Sequence, residues 1–290
     1  FSRKKITFEF LFQISIIVVI ASFISFYSLE SDDFSYHLRA ILYFKESVIE
    51  KNLINNIEDG PRVAFNSAWF LLNSFLSIKN FETSFFFVSS VLYSSLLLDF
   101  TKFLKNNLKK IDLSYLYIGF VLPYFAGVLG KYKNFGSDIP GQLIITIITF
   151  IFLRIFSLKK EIDHKIFYLL FILTLFTTMI KITNILIIFF IVFIFFKLKK
   201  KIKVFLVSSF LSIPFIIWIY SNYIISGCFI FPIEITCLDN NQKAGYYNFV
   251  ISAFAKSILN ENISHETSKL LLQNFQWINY WIKDHLRIII

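Results

Sequence analysis

Val63-Ala64-Phe65-Asn66-Ser67-Ala68-Trp69-Phe70-Leu71-Leu72-Asn73-Ser74-Phe75-Leu76-Ser77-Ile78 is the stretch on which the topology of this chain turns. It is apolar enough to pass for a membrane span. Its polar residues Asn66, Ser67, Asn73, Ser74 and Ser77 nevertheless recur on one helical stripe. That pattern predicts an amphipathic helix lying at an interface rather than a helix crossing a bilayer. The choice decides where everything else falls. Counted as a span, the segment separates the N-terminal basic cluster from three later ones; left out, it puts all four on one side.

The rest of the chain is organised by apolar blocks. Of its 290 residues 56% are hydrophobic and 20% aromatic, and the mean hydropathy is +0.66. An ordinary soluble domain has about 45–50% apolar residues. The excess falls in blocks of roughly 15–22 residues, the length a helix needs to cross a hydrocarbon core of about 30 Å. Seven spans are predicted: Ile6 to Leu29, Phe85 to Leu104, Leu113 to Leu129, Ile139 to Phe156, Ile166 to Ile180, Ile182 to Phe196, and Val204 to Ile225. The expected fold class is therefore all-α, a multi-pass transmembrane helical bundle with amphipathic interfacial helices in its first outer loop.

Orientation follows from the cations. Arg3, Lys4 and Lys5 precede the first span. Lys102, Lys105, Lys109 and Lys110 join the second and third; Lys159, Lys160 and Lys165, with Arg154 just inside, join the fourth and fifth. Lys197, Lys199, Lys200, Lys201 and Lys203 join the sixth and seventh. All four clusters share a side, which the positive-inside rule makes cytoplasmic. The reading is thus a bacterial-type inner membrane protein with a cytoplasmic N-terminus. The formal net charge of +10 is accounted for by the same clusters and by anionic lipid head groups, so no nucleic-acid partner is expected. Residues 30–82 form the first extracytoplasmic loop and residues 226–290 the last, with a short one at 130–138. The whole is read as one transmembrane domain. Its start at Phe1 and its apolar end at Arg287-Ile288-Ile289-Ile290 lead us to expect a piece of a longer chain.

The first outer loop opens with Ser31-Asp32-Asp33-Phe34-Ser35-Tyr36-His37-Leu38-Arg39. A carboxylate where a span leaves the membrane suits general-base work on a lipid-linked substrate; it equally suits a helix N-cap. Phe34, Leu38, Ile41, Leu42, Val48 and Ile49 form the predicted apolar face of the helix that follows. His37 is read as a helix-surface histidine. Arg39 and Arg62 can grip a phosphate in two-pronged fashion or pair with Glu58 and Asp59. Lys181 stands at the tight outer turn between two apolar spans, where a charge either has a task or snorkels to water. Cys228 and Cys237 are either a disulfide of an oxidising compartment or two small apolar residues. No zinc-spaced Cys/His cluster, Walker glycine loop or G-x-S-x-G elbow is present, which removes the usual soluble nucleotide and hydrolase chemistries.

Asp32 with Tyr36-His37, Arg62-Val63-Ala64-Phe65-Asn66-Ser67-Ala68-Trp69-Phe70, Asp138-Ile139-Pro140, Ile180-Lys181-Ile182-Thr183, and Ser226-Gly227 with Phe231-Pro232 together resemble a family of bacterial polytopic membrane proteins of surface-polysaccharide loci that look like GT-C-type glycosyltransferases. The resemblance runs in patches from Asp32 to Pro232, and the Arg-x-x-Phe-Asn-Ser-x-Trp-Phe stretch is its most specific part. It implies transfer of a sugar from a polyprenyl-phosphate carrier to an acceptor on a glycan or lipid. Asp32, or its neighbour Asp33, would be the catalytic base. Arg62 and Lys181 would neutralise the donor phosphate, with His37, Arg39 and Asn66 in the substrate site. No cofactor is implied, and the adjacent carboxylates alone are weak evidence for a divalent metal. A lipid-linked oligosaccharide flippase or transporter is the alternative, for which charged or broken-helix sites near the midplane are the expected sign. A polysaccharide polymerase shares the outer-loop placement, and a non-catalytic assembly partner would leave Asp32 and Asp33 dispensable.

Overall fold

The computed structural model describes residues 8–24, 37–46, 66–76, 87–107, 111–127, 136–158, 162–199, 201–231 and 236–238. Among them every regular element is helical. The chain divides into two compact units, Phe1–Val48 with Asn66–Trp218, and Ile49–Phe65 with Ile219–Ile290.

The first unit contains α1 (Phe8–Ile24), α2 (Leu38–Glu46), α3 (Ala68–Leu76), α4 (Phe87–Asn106), α5 (Leu113–Gly127), α6 (Asp138–Leu158) and α7 (His164–Ile180). A 3₁₀ segment (Ile182–Ile187), α8 (Ile188–Lys197), α9 (Lys201–Leu211) and the first turns of α10 (Ile213–Ser226) follow. Each predicted apolar block is thus helical over its described residues. Among the described residues two helices are long and apolar enough to cross a membrane: Asp138–Ser157 and Lys201–Ser226, with mean hydropathies of 2.0 and 2.1. Leu113–Phe125, His164–Ile180 and Ile182–Lys197 are shorter apolar helices. A core helix of a water-soluble protein is mostly buried, whereas only 33% and 17% of the two long helices are. Phe120, Ile202 and Phe210, each at least 71% exposed, show the outward apolar surface that a lipid phase would cover.

Two blocks are less regular than predicted. The sixth begins as the 3₁₀ segment and becomes α-helical at Ile188. The seventh breaks at Ser212 into α9 and α10. Pro214, in the first turn of α10, has no N–H to donate to a preceding carbonyl, which is why the ladder gives way there.

The core of the unit lies among α4, α5 and α6, where Tyr93, Leu96, Phe100, Ile118, Phe125 and Leu143 are buried together. Phe150 of α6 closes it against Phe100 and Phe103, with ring centroids 5.3 and 4.9 Å apart. The second hub is α7, which packs against α3, α6, α8 and α9.

Cations gather at one end of these helices. Arg154, near the end of α6, lies 5.0 Å over the Phe103 ring near the end of α4. Lys197 and Lys201, on either side of the α8–α9 turn, lie over Phe193 and Phe196. At the same end Asp112 caps α5, accepting hydrogen bonds from the Ser114 hydroxyl at 2.5 Å and the Tyr115 N–H at 2.8 Å, as N-cap carboxylates do. Burial raises the Asp112 pKa, but these hydrogen bonds and the charge of Arg154 outweigh it and hold the carboxyl below its usual 3.8. A depressed folded-state pKa contributes stability above the unfolded value that is lost as pH falls through the folded one. In detergent, the wild-type melting temperature should therefore fall as pH drops below about 4, and Asp112→Asn should blunt that fall while keeping a cap.

Candidate functional site

The opposite end of α6 and α7 is built differently. Ser67 is the hinge of it. Its Oγ accepts from the Trp69 N–H at 3.3 Å, starting α3 as an N-cap, and donates to the Ile180 carbonyl at 2.8 Å. That carbonyl is one of the last in α7, which has no helical partner of its own. Asn66 reaches this position through a left-handed backbone, φ 43°, which asparagine tolerates better than most residues. The Trp218 indole N–H then donates to the Asn66 carbonyl at 2.7 Å. Three segments far apart in sequence are tied by two side-chain hydrogen bonds.

Lys181 follows directly. It stands between α7 and the 3₁₀ segment in extended conformation, φ −151°, ψ 122°. Its N–H donates to the Thr177 carbonyl at 3.1 Å, and its ammonium pairs with Asp138, the first residue of α6, at 2.5 Å. The two side chains are 45% and 63% exposed, and an ion pair of that kind is worth about 0–1 kcal/mol.

Beneath the pair is a clamp. The Asn184 amide donates to the Thr177 carbonyl at 3.1 Å and to the Thr177 hydroxyl at 3.3 Å. The Thr177 hydroxyl in turn lies 3.4 Å from the Gly141 carbonyl, to which it donates. Gly141 is needed for this approach: a Cβ there would stand 2.8 Å from the Asn184 amide nitrogen.

These contacts place the predicted site residues. Asn66 and Lys181 come to one region, joined through Ser67 and Ile180. His37 joins them by way of α2 packing on α3; it is buried, not on the helix surface, and its ring lies 5.5 Å from that of Phe70. The buried face of α2 is His37, Ala40 and Ile41, with Leu42 turned outward, so the predicted apolar face is rotated. Arg39 is exposed. Asp32, Asp33 and Arg62 lie outside the described residues. Lys181 was expected to have a task or to snorkel; it has a partner, Asp138.

The opening stretch also needs correction. An interfacial helix would show its polar stripe to water. In α3 that stripe turns inward, with Asn66, Ser67 and Asn73 buried and Phe75 84% exposed. The stripe packs toward α7, whose Ile180 carbonyl accepts from Ser67, while Asn73 donates to the Trp69 carbonyl of its own helix. Missed altogether in the sequence was the Gly141–Thr177–Asn184 clamp. Its only sign was three threonines, Thr174, Thr177 and Thr178, at helical spacing in an apolar block.

In the second unit, Cys228 and Cys237 form a disulfide, which decides between the two readings of these cysteines. The Gly227 N–H bonds the Tyr223 carbonyl at 2.8 Å and Gly227 has φ 70°, a left-handed glycine ending α10. Phe229 and Leu238 then donate to the Thr236 and Gly227 carbonyls, both at 3.1 Å. Closing so short a loop is worth about 2–3 kcal/mol. Cys228→Ser should therefore lower the thermal midpoint, and reduction should lower it in wild type but not in the variant.

The described residues are thus helical, with apolar helices of membrane length, and the helices of the first unit carry cations at one end and a polar seam at the other. By sequence it belongs to the family described as a domain of unknown function (DUF8201), whose model matches residues 1–289. No curated protein and no solved structure matches the chain.

Proposed function

We propose that this chain is a GT-C-like membrane glycosyltransferase. It would take a sugar from a polyprenyl-phosphate donor and pass it to a glycan or lipid-linked acceptor on the extracytoplasmic face of a bacterial inner membrane. The topology proposed is seven spans with a cytoplasmic N-terminus.

One observation carries the reading. Asn66 to Phe70, Asp138 to Pro140 and Ile180 to Thr183, three of the patches on which the family resemblance rests, meet in one seam at the helix ends away from the cations. Random short matches have no reason to converge in space. The disulfide in the second unit adds support, since such bonds persist in oxidising compartments. In this reading Asp32 or Asp33 deprotonates the acceptor hydroxyl as it attacks the anomeric carbon. Lys181 and Arg62 stabilise the departing phosphate.

The test is complementation. Wild type, Asp32→Asn and Asp33→Asn are expressed at matched membrane levels in a strain lacking the gene, and the surface glycan is read by gel and mass. Loss with one of the two substitutions is expected; full glycan from both would contradict the assignment of a base.

A flippase is the second reading, favoured by a specific feature. The Trp69 indole nitrogen, the Asn73 amide oxygen and the Thr174 hydroxyl are sealed from solvent with no hydrogen-bond partner among the described residues, on the packed helices α3 and α7. Glycan hydroxyls passing between those helices would satisfy them. Lipid-linked glycan that accumulates unextended on the cytoplasmic side in the deletion strain would favour this reading over transfer.

A further inference from the structure

The geometry points to Asp138 as an internal substitute for a phosphate: we infer that Lys181 exchanges between Asp138 and the phosphate of a lipid-linked ligand, with Asn184 fixing where the exchange takes place. The inference rests on the functional reading above and adds two positioning residues to it.

Three observations support it. The Lys181–Asp138 pair is short, at 2.5 Å, yet both partners are substantially exposed, so a competing anion reaches the ammonium without unfolding anything. A pair this exposed is weak, whereas a prenyl monophosphate, the leaving group of the transfer, offers more charge and more acceptor oxygens than one carboxylate. Finally, the backbone that carries Lys181 is held from below. The Thr177 carbonyl accepts from both the Lys181 N–H and the Asn184 amide, and the Asn184 amide occupies the space over Gly141. The clamp fixes the Cα of Lys181 while its long side chain stays free to swing. Without Asp138 the Lys181 ammonium would have no counter-charge whenever the ligand is absent. Asp138 supplies the counter-charge and gives it up.

The experiment uses the full chain in detergent and a short-chain prenyl monophosphate as probe, with the prenyl alcohol and phosphatidylglycerol as comparisons. Asp138→Asn should bind the prenyl phosphate about twofold to fivefold more tightly than wild type at low salt, the gain that loss of so weak a competing pair allows. The gain should shrink as ionic strength rises. Lys181→Gln should lose the preference for phosphate over alcohol, Lys181→Arg should retain it, and Asp138→Asn should gain nothing in the Lys181→Gln background. Asn184→Ala should weaken phosphate binding without altering affinity for the alcohol, which a merely structural defect would not do. Each variant is checked for an intact Cys228–Cys237 disulfide and an unchanged melting profile; Asp138→Glu, which keeps the pair, should behave as wild type.

A gain in Asp138→Asn that persists without Lys181, or no gain at all, overturns the exchange. If phosphatidylglycerol shows the same Lys181-dependent gain with no preference for the prenyl phosphate, the exchange stands and the lipid-carrier reading falls. Failure of every anion to outbind the alcohol in wild type and in Asp138→Asn overturns both.

Discussion

Trp69→Ala should cost about 3–5 kcal/mol of stability, the usual range for removing a large buried aromatic side chain. Trp69 is 1% exposed and among the largest fully buried side chains of the first unit. It lies in α3, one residue from Ala68 and Phe70, which are buried with it. Its loss leaves a cavity beside α3, where the neighbouring Phe70 ring lies 5.5 Å from that of His37. The informative companion is Trp69→Phe. The indole N–H has no partner among the described residues, so phenylalanine removes an unsatisfied donor and most of the ring volume remains. Thermal melting of the purified proteins in one detergent should rank wild type first, Trp69→Phe close behind and Trp69→Ala far below. Equal losses for the two variants would mean that the indole N–H, rather than ring volume, holds the site.

The second large effect is at Gly141. Alanine normally stabilises a helix relative to glycine by up to about 1 kcal/mol. Here its Cβ would come 2.8 Å from the Asn184 amide nitrogen, which is held by two hydrogen bonds to Thr177. Overpacking of this kind costs about 1–3 kcal/mol, so the steric effect wins and Gly141→Ala is destabilising. The remedy identifies the cause. In an Asn184→Ala background the same substitution meets no obstacle, and its cost should vanish or reverse. The coupling read from that double-mutant cycle should exceed about 0.5 kcal/mol, the range for residues in contact. Additive effects would show that the two residues do not touch.

The helices were legible in the sequence because apolar blocks bounded by lysines leave few other structures available. The irregularities were less so. The break near Ser212 interrupts a block predicted as one span, and the 3₁₀ start of the sixth block goes with Asn184 reaching back across the Lys181 break to Thr177, a contact seven residues away that periodicity does not show. The polar stripe of α3 was read correctly as a stripe and wrongly as facing water. Periodicity tells which residues share a face, not what covers it, and here the cover is the C-terminal end of α7, more than a hundred residues later. His37 was misjudged for the same reason, since its burial is set by Phe70. Lys181 drew notice because a charge between apolar blocks is costly, but its partner Asp138 is 43 positions away. Asp32 and Asp33, the residues singled out for chemistry, were found from their place after the first span. Both lie outside the described residues.

The measurement that bears most directly on the central claim is sugar transfer itself. The full chain is reconstituted in liposomes with radiolabelled polyprenyl-phosphate-linked sugars and a lipid-linked glycan acceptor, beside Asp32→Asn, Asp33→Asn and Lys181→Gln. Label should move to the acceptor with wild type. Transfer should be lost with one of the two aspartate variants while donor binding is kept, and donor binding should be weakened in Lys181→Gln. Transfer undiminished in both aspartate variants, or label that crosses the bilayer still attached to its carrier, would contradict it.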